Sequence, residues 1–138
     1  MKGKTSLTLL ELTVMLLVFA LAAALCLQAF AWADRSSARI IREDGAYRCL
    51  QNASEVLKAC GGDAAAAARR FGGSVVDGQW RIAFDENWNV TQQEGAFFLQ
   101  AVYEQTGVAL LGGARLEITD REGSVLAAWS VRWQEVAP

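Results

Sequence analysis

Histidine is absent from this chain, and with it go the commonest general base and the commonest neutral metal ligand. Lysine is almost absent. Lys2 and Lys4 stand at the extreme N-terminus and Lys58 is alone in the rest, so a Ser–Lys dyad has little to draw on. Carboxylates that neighbour one another in sequence, Glu43/Asp44 and Asp85/Glu86, read as solvated faces. Proline occurs once, as Pro138, so no helix is broken by one. Three cysteines, Cys26, Cys49 and Cys60, make neither a disulfide framework nor a C-x-x-C pair. On one continuous helix Cys49 and Cys60 would stand about 16 Å apart. A disulfide tolerates about 7 Å between Cα atoms, so a bridge requires a helix break between them. Thirteen basic residues face fifteen acidic ones, a net charge of -2 with no basic stripe. That balance argues against a nucleic-acid partner. The expectation is a chain that is not an enzyme and carries no cofactor.

What the chain has in excess is apolar length. Hydrophobic residues make up 53% of it, and the run from Leu7 to Ala33 accounts for the surplus. About twenty apolar residues cross the hydrocarbon core of a bilayer. Lys2 and Lys4 precede the run and hold the N-terminus on the cytoplasmic side, and Trp32 suits the far interface. Asp34-Arg35-Ser36-Ser37 marks the exit into water. The expected location is the cytoplasmic membrane, crossed once, with the remainder of the chain outside.

One residue does not fit a plain anchor. Glu11 lies near the head of the run, and a carboxylate costs about 2.5–3.5 kcal/mol at a membrane-helix centre, less near its end. The stretch Lys4-Thr5-Ser6-Leu7-Thr8-Leu9-Leu10-Glu11-Leu12 resembles the cleavage and methylation segment of type IV prepilins and type II secretion pseudopilins. The resemblance covers the N-terminal quarter of the chain. It implies a leader of residues 1–6, cut between Ser6 and Leu7 by a prepilin peptidase that also methylates the new amino group of Leu7. Thr8 becomes the second mature residue and Glu11 the fifth, which serves assembly. Ser6 replaces the more usual glycine, Leu7 the more usual phenylalanine, and the middle of the helix near Gln28 lacks the proline or glycine of many major pilins. The resemblance further implies partners: other pilin-like subunits in a filament, the peptidase, and an assembly platform protein in the membrane. Removing the leader would leave 11 basic and 15 acidic side chains, a net charge of -4.

Three other readings compete for the same segment. A secretory signal peptide would be cut after Ala29-Phe30-Ala31, but its apolar region would exceed the usual 7–15 or so residues. A lipoprotein would be acylated at Cys26, but Leu25 stands where a small residue belongs. A single-pass anchor carrying a sensor or binding module would leave Glu11 unexplained.

Past the membrane segment the helical period continues. Ile40, Tyr47, Leu50, Ala53, Leu57 and Cys60 form an apolar stripe between charged residues. Gly45 weakens this helix by about 1 kcal/mol without ending it, and Gly61-Gly62 stops it. Residues 34–62 are thus expected as an amphipathic continuation, and 63–138 as a globular head. Asp63 caps a short helix over Ala64–Ala68 to Arg70. The pattern then turns to period two. Trp80, Ile82 and Phe84 form one strand face. Phe97, Leu99, Ala101 and Tyr103 form another, blurred by Phe98 and Val102. Leu116 with Ile118 follows, then Val125, Ala127, Trp129, Val131 and Trp133. Asp120-Arg121-Glu122-Gly123 reads as a hairpin turn. The expected fold class is α+β: a long N-terminal helix packed on a small antiparallel sheet, as in pilin-like proteins.

Trp129 and Trp133 are expected in the core and Trp88 as a lid on it. Asp85, Asn87 and Asn89 alternate like the first ligands of a calcium loop, with Glu94 as a later carboxylate. Val90 occupies the position where that loop needs glycine. The competing reading is a turn closed by Asp and Asn side chains.

Overall fold

The structure, a computed structural model, describes residues 2–135. Helix α1 runs from Lys2 to Ala59. Alanine and leucine dominate it and proline is missing, so each residue favours or tolerates the helix. Two glycines end it. Gly61 (φ 60°) donates to the Lys58 carbonyl and Gly62 (φ 83°) to the Leu57 carbonyl. This crossed pair satisfies carbonyls that the helix leaves open, and it needs a residue free to take positive φ. Helix α2, Ala64–Phe71, follows at once. The Asp63 carboxylate caps it, accepting from the N–H groups of Ala65 at 2.8 Å and Ala66 at 3.2 Å.

The chain divides into two compact units, one up to Ile40 and one from Ile41. The described residues of the first are helix alone, exposed from Gly3 onward except for the half-buried Ser36. The second holds the end of α1, then α2 and six strands: β1 Ser74–Val76, β2 Gln79–Phe84, β3 Val90–Thr91, β4 Phe97–Glu104, β5 Leu111–Asp120 and β6 Val125–Gln134. They form one antiparallel sheet in the order β1-β2-β4-β5-β6, with β3 paired to β2. The fold is therefore α+β, a long helix packed on a small antiparallel sheet. The C-terminal turns of α1 belong to the head itself, which starts well before residue 63.

Ala46, Leu50, Ala53 and Leu57 of α1 are fully buried, with Trp80, Ile82, Phe84, Leu99, Leu116, Ile118 and Val131 from the sheet. Each large side chain in this set contributes about 1.5–3 kcal/mol by leaving water. The buried stripe of α1 is centred on Ala46, Leu50, Ala53 and Leu57, which leaves Ile40 (61% exposed) and Tyr47 (48%) outside it, contrary to expectation. Trp80 anchors α2 to the sheet: its indole N–H donates to the Gly72 carbonyl at 2.9 Å, and Phe71 meets its ring edge-on.

The last strand also departs from the period-two reading. A bulge places Ala127 opposite Ile118 but Val125 opposite Thr119. Val125 is thereby exposed, and Leu126 packs against the core. Trp129 sits opposite the buried Leu116 yet stays 45% exposed. It lies on the outermost strand, with a neighbouring strand on one side only. Trp133 is buried as expected, against Gly62 and Gly112, where any side chain would overlap its indole.

Candidate functional site

The residues of the N-terminal motif all lie in α1. Ser6, Leu7, Thr8 and Glu11 are exposed, and so are the apolar residues that follow to Ala33. Thr8 donates its hydroxyl to the Lys4 carbonyl at 2.9 Å, and Thr13 does the same to Leu9 at 2.8 Å. These bonds hide two polar groups that would otherwise disturb an apolar face. Leu7 and Glu11 are one helical turn apart, about 6 Å along the axis. Among the described residues no side chain pairs with the Glu11 carboxylate. The segment is near the N-terminus and is long and apolar enough to cross a bilayer, and none of its most apolar window is buried within the chain.

The second sequence candidate, Asp85-Glu86-Asn87-Trp88-Asn89, is a hydrogen-bonded turn. One carboxylate oxygen of Asp85 accepts the backbone N–H groups of Asn87 (2.8 Å) and Asn89 (2.9 Å), and the other accepts the Asn89 amide at 3.2 Å. The Asn89 backbone bond acts first and desolvation opposes it; the Asn89 side chain and the Asn87 backbone add to the lowering, and the carboxyl is held below its usual range. Among the described residues no three His, Cys, Asp or Glu side chains gather to hold a metal.

The turn aims Trp88 at the core. Its ring stacks on Phe97 with centroids 4.1 Å apart and planes 5° from parallel, and it leans on Phe84. Trp88 itself adopts φ 65°, a conformation a bulky residue rarely takes. Its indole lies directly against Gly45 of α1, where any side chain would overlap it. Arg42, one turn earlier, stands over the Phe97 ring at 5.9 Å. Trp88 is thus the lid that its sequence position suggested. The partner that makes room for it, Gly45, is visible in the sequence only as an unexplained glycine inside a helix.

Cys49 and Cys60 are both free. The helix passes unbroken through Cys49 to Ala59, so the geometry that keeps them apart is the one anticipated. Burial pushes the Cys49 thiol up, against a smaller opposite effect of Arg48. Tyr103 is also pushed up, by burial first and Asp63 second. Its hydroxyl donates to the Gly62 carbonyl at 2.8 Å and ties β4 to the end of α1.

One feature has little sequence signature. A groove of about 710 Å³ opens beside Phe98 and Gln100 of the sheet, lined also by β3, the loop after it and the end of α2. Its trace in the sequence is Phe98, which interrupts the alternation of β4.

No family model, curated protein or solved structure matches the chain.

Proposed function

We propose that this chain is a membrane-anchored filament subunit. It is stored by its N-terminal helix and displays its head outside the cytoplasmic membrane. Within that class, the segment around Ser6 and Glu11 fits a minor pilin or pseudopilin of a type IV pilus, type II secretion or DNA-uptake filament. The observation that carries the reading is Glu11. It is a carboxylate on an exposed apolar helix, and no side chain among the described residues partners it. Such a charge is tolerated where a cation meets it in a dry environment. Cleavage after Ser6 creates one, the amino group of Leu7, and methylation keeps it cationic. In a bundle of these helices the Leu7 amino group of one subunit neutralises Glu11 of the next. The remaining exposed leucines, valines and phenylalanines supply dispersion and apolar contact between helices. A prepilin peptidase and a platform protein in the membrane complete the set of partners.

The test is the mature N-terminus, read by terminal sequencing and intact mass from a host that carries a prepilin peptidase. The expected result is a chain beginning at methylated Leu7. A chain that keeps Met1 is a plain anchor, and one that begins at Trp32 was released by signal peptidase. Either outcome rejects the proposal.

A further inference from the structure

We propose that the groove on the outer face of the sheet binds a short, uncharged oligosaccharide. The inference rests on head residues alone and does not depend on the filament reading. The outer face carries the exposed polar side chains of Arg81, Arg115, Ser130 and Arg132, with the aliphatic Val76 and Val102 among them. Phe98 adds an aromatic ring, 39% exposed, opposite the small side chain of Ala83. Gly95 lets that ring lie low, since a side chain there would press on it at 3.2 Å. The groove volume of about 710 Å³ falls in the range of sites that enclose a small ligand.

The polar lining decides the class of ligand. Gln92, Gln93 and Gln100 line the groove together with Phe98, as do Thr91 and Thr119. Each glutamine offers both a donor and an acceptor, and each hydroxyl does the same. That is the complement of sugar hydroxyls, while the Phe98 face suits the C–H face of a pyranose ring. Two of these groups are held in place. Gln100 donates to the Gln79 side-chain oxygen, which also accepts from Arg81 at 3.5 Å. The Thr91 hydroxyl accepts the Gln93 N–H at 3.1 Å and orders the rim. Charge selects against an ionic ligand. Glu117 is matched by Arg115 at 2.7 Å, and Arg81 is a single guanidinium rather than a cluster able to hold phosphate or sulfate.

The full chain in phospholipid nanodiscs is tested by saturation-transfer NMR. The probes are maltohexaose, cellohexaose and chitopentaose, with a heparin hexasaccharide and an uncharged hexapeptide as comparators. At least one neutral oligosaccharide is expected to bind. Phe98→Ala should weaken it about tenfold or more, and Gln100→Ala should weaken it less. Both variants should melt within a few degrees of the parent, because Phe98 and Gln100 lie on the solvent side of the sheet. Absence of binding by all three neutral sugars overturns the proposal. So does binding that Phe98→Ala leaves unchanged, or a preference for the heparin fragment or the peptide.

Discussion

Gly45 shows how a single missing side chain fixes a tertiary contact. In an exposed helix, glycine to alanine gains about 1 kcal/mol. Here the added methyl would overlap the Trp88 indole, and overpacking of this kind costs about 1–3 kcal/mol. Gly45→Ala is therefore expected to lower the denaturation midpoint of the head. In a Trp88→Ala background the same substitution should raise it, and a double-mutant cycle in urea reads the change of sign. Glu11 makes a different prediction at the same scale. Glu11→Ala removes a charge from an apolar helix, so membrane insertion is expected to be equal or better. Under the proposed filament function, what is lost is the partner of a cation, a deficit of about 3–5 kcal/mol when such a charge is left buried alone. The variant should accumulate in the membrane with an intact head and be missing from sheared filaments, and Glu11→Gln should behave nearly alike. Entry into filaments at the parental level would overturn the charge-pairing account.

Among the elements, the Asp85–Asn89 turn carries its own pH dependence. Its carboxyl is held below the usual range by bonds that exist only when the chain is folded. The sign follows from linkage. The contribution is complete above the unfolded value of about 4, and it is lost as pH falls through the lower folded value. The difference in melting temperature between the parent and Asp85→Ala should be greatest near neutrality and should close below about pH 4. A gap that stays constant down to pH 2 would mean that the carboxylate is not what holds the turn. The elements also differ in how far the sequence disclosed them. Helix α1 and the inner faces of β2, β4 and β5 were legible, because buried positions there recur at a strict period. Strand β1 was not: its three residues are all exposed and show no alternation. Its signal lay in the turn, since Asp77 (φ 54°) and Gly78 (φ 75°) form the Asp-Gly pair that favours a tight hairpin. Trp129 was misread because period two tells which face a residue takes, but not whether the strand lies at the margin of the sheet. The bulge near Val125 escaped for a related reason, since an inserted residue shifts register without altering composition. The meeting of Gly45 with Trp88 joins residues far apart along the chain, and no local pattern encodes it. The groove around Phe98 left no more than that residue as a trace for the same cause, as α2, five of the strands and a loop each supply part of it.

At the scale of the molecule, the compact unit from Ile41 contains the helix face, the sheet and the cap that closes α1. Among the described residues its core cluster begins at Ala46. A fragment of residues 36–138 is therefore expected to be soluble and folded as helix plus antiparallel sheet, with dispersed amide resonances and a cooperative thermal transition. A disordered spectrum would show that the core needs something the fragment lacks. The sheet order adds a consequence in time rather than in space. Each strand pairs with one that lies close to it in the chain, so each closure spans a short loop and costs little entropy. The helix face that the sheet must cover is made first during synthesis, and the strands arrive in the order in which they pair. The head can thus assemble by successive additions as the chain is made. The β5–β6 hairpin, the last to arrive, brings Val131 and Trp133 to close the core.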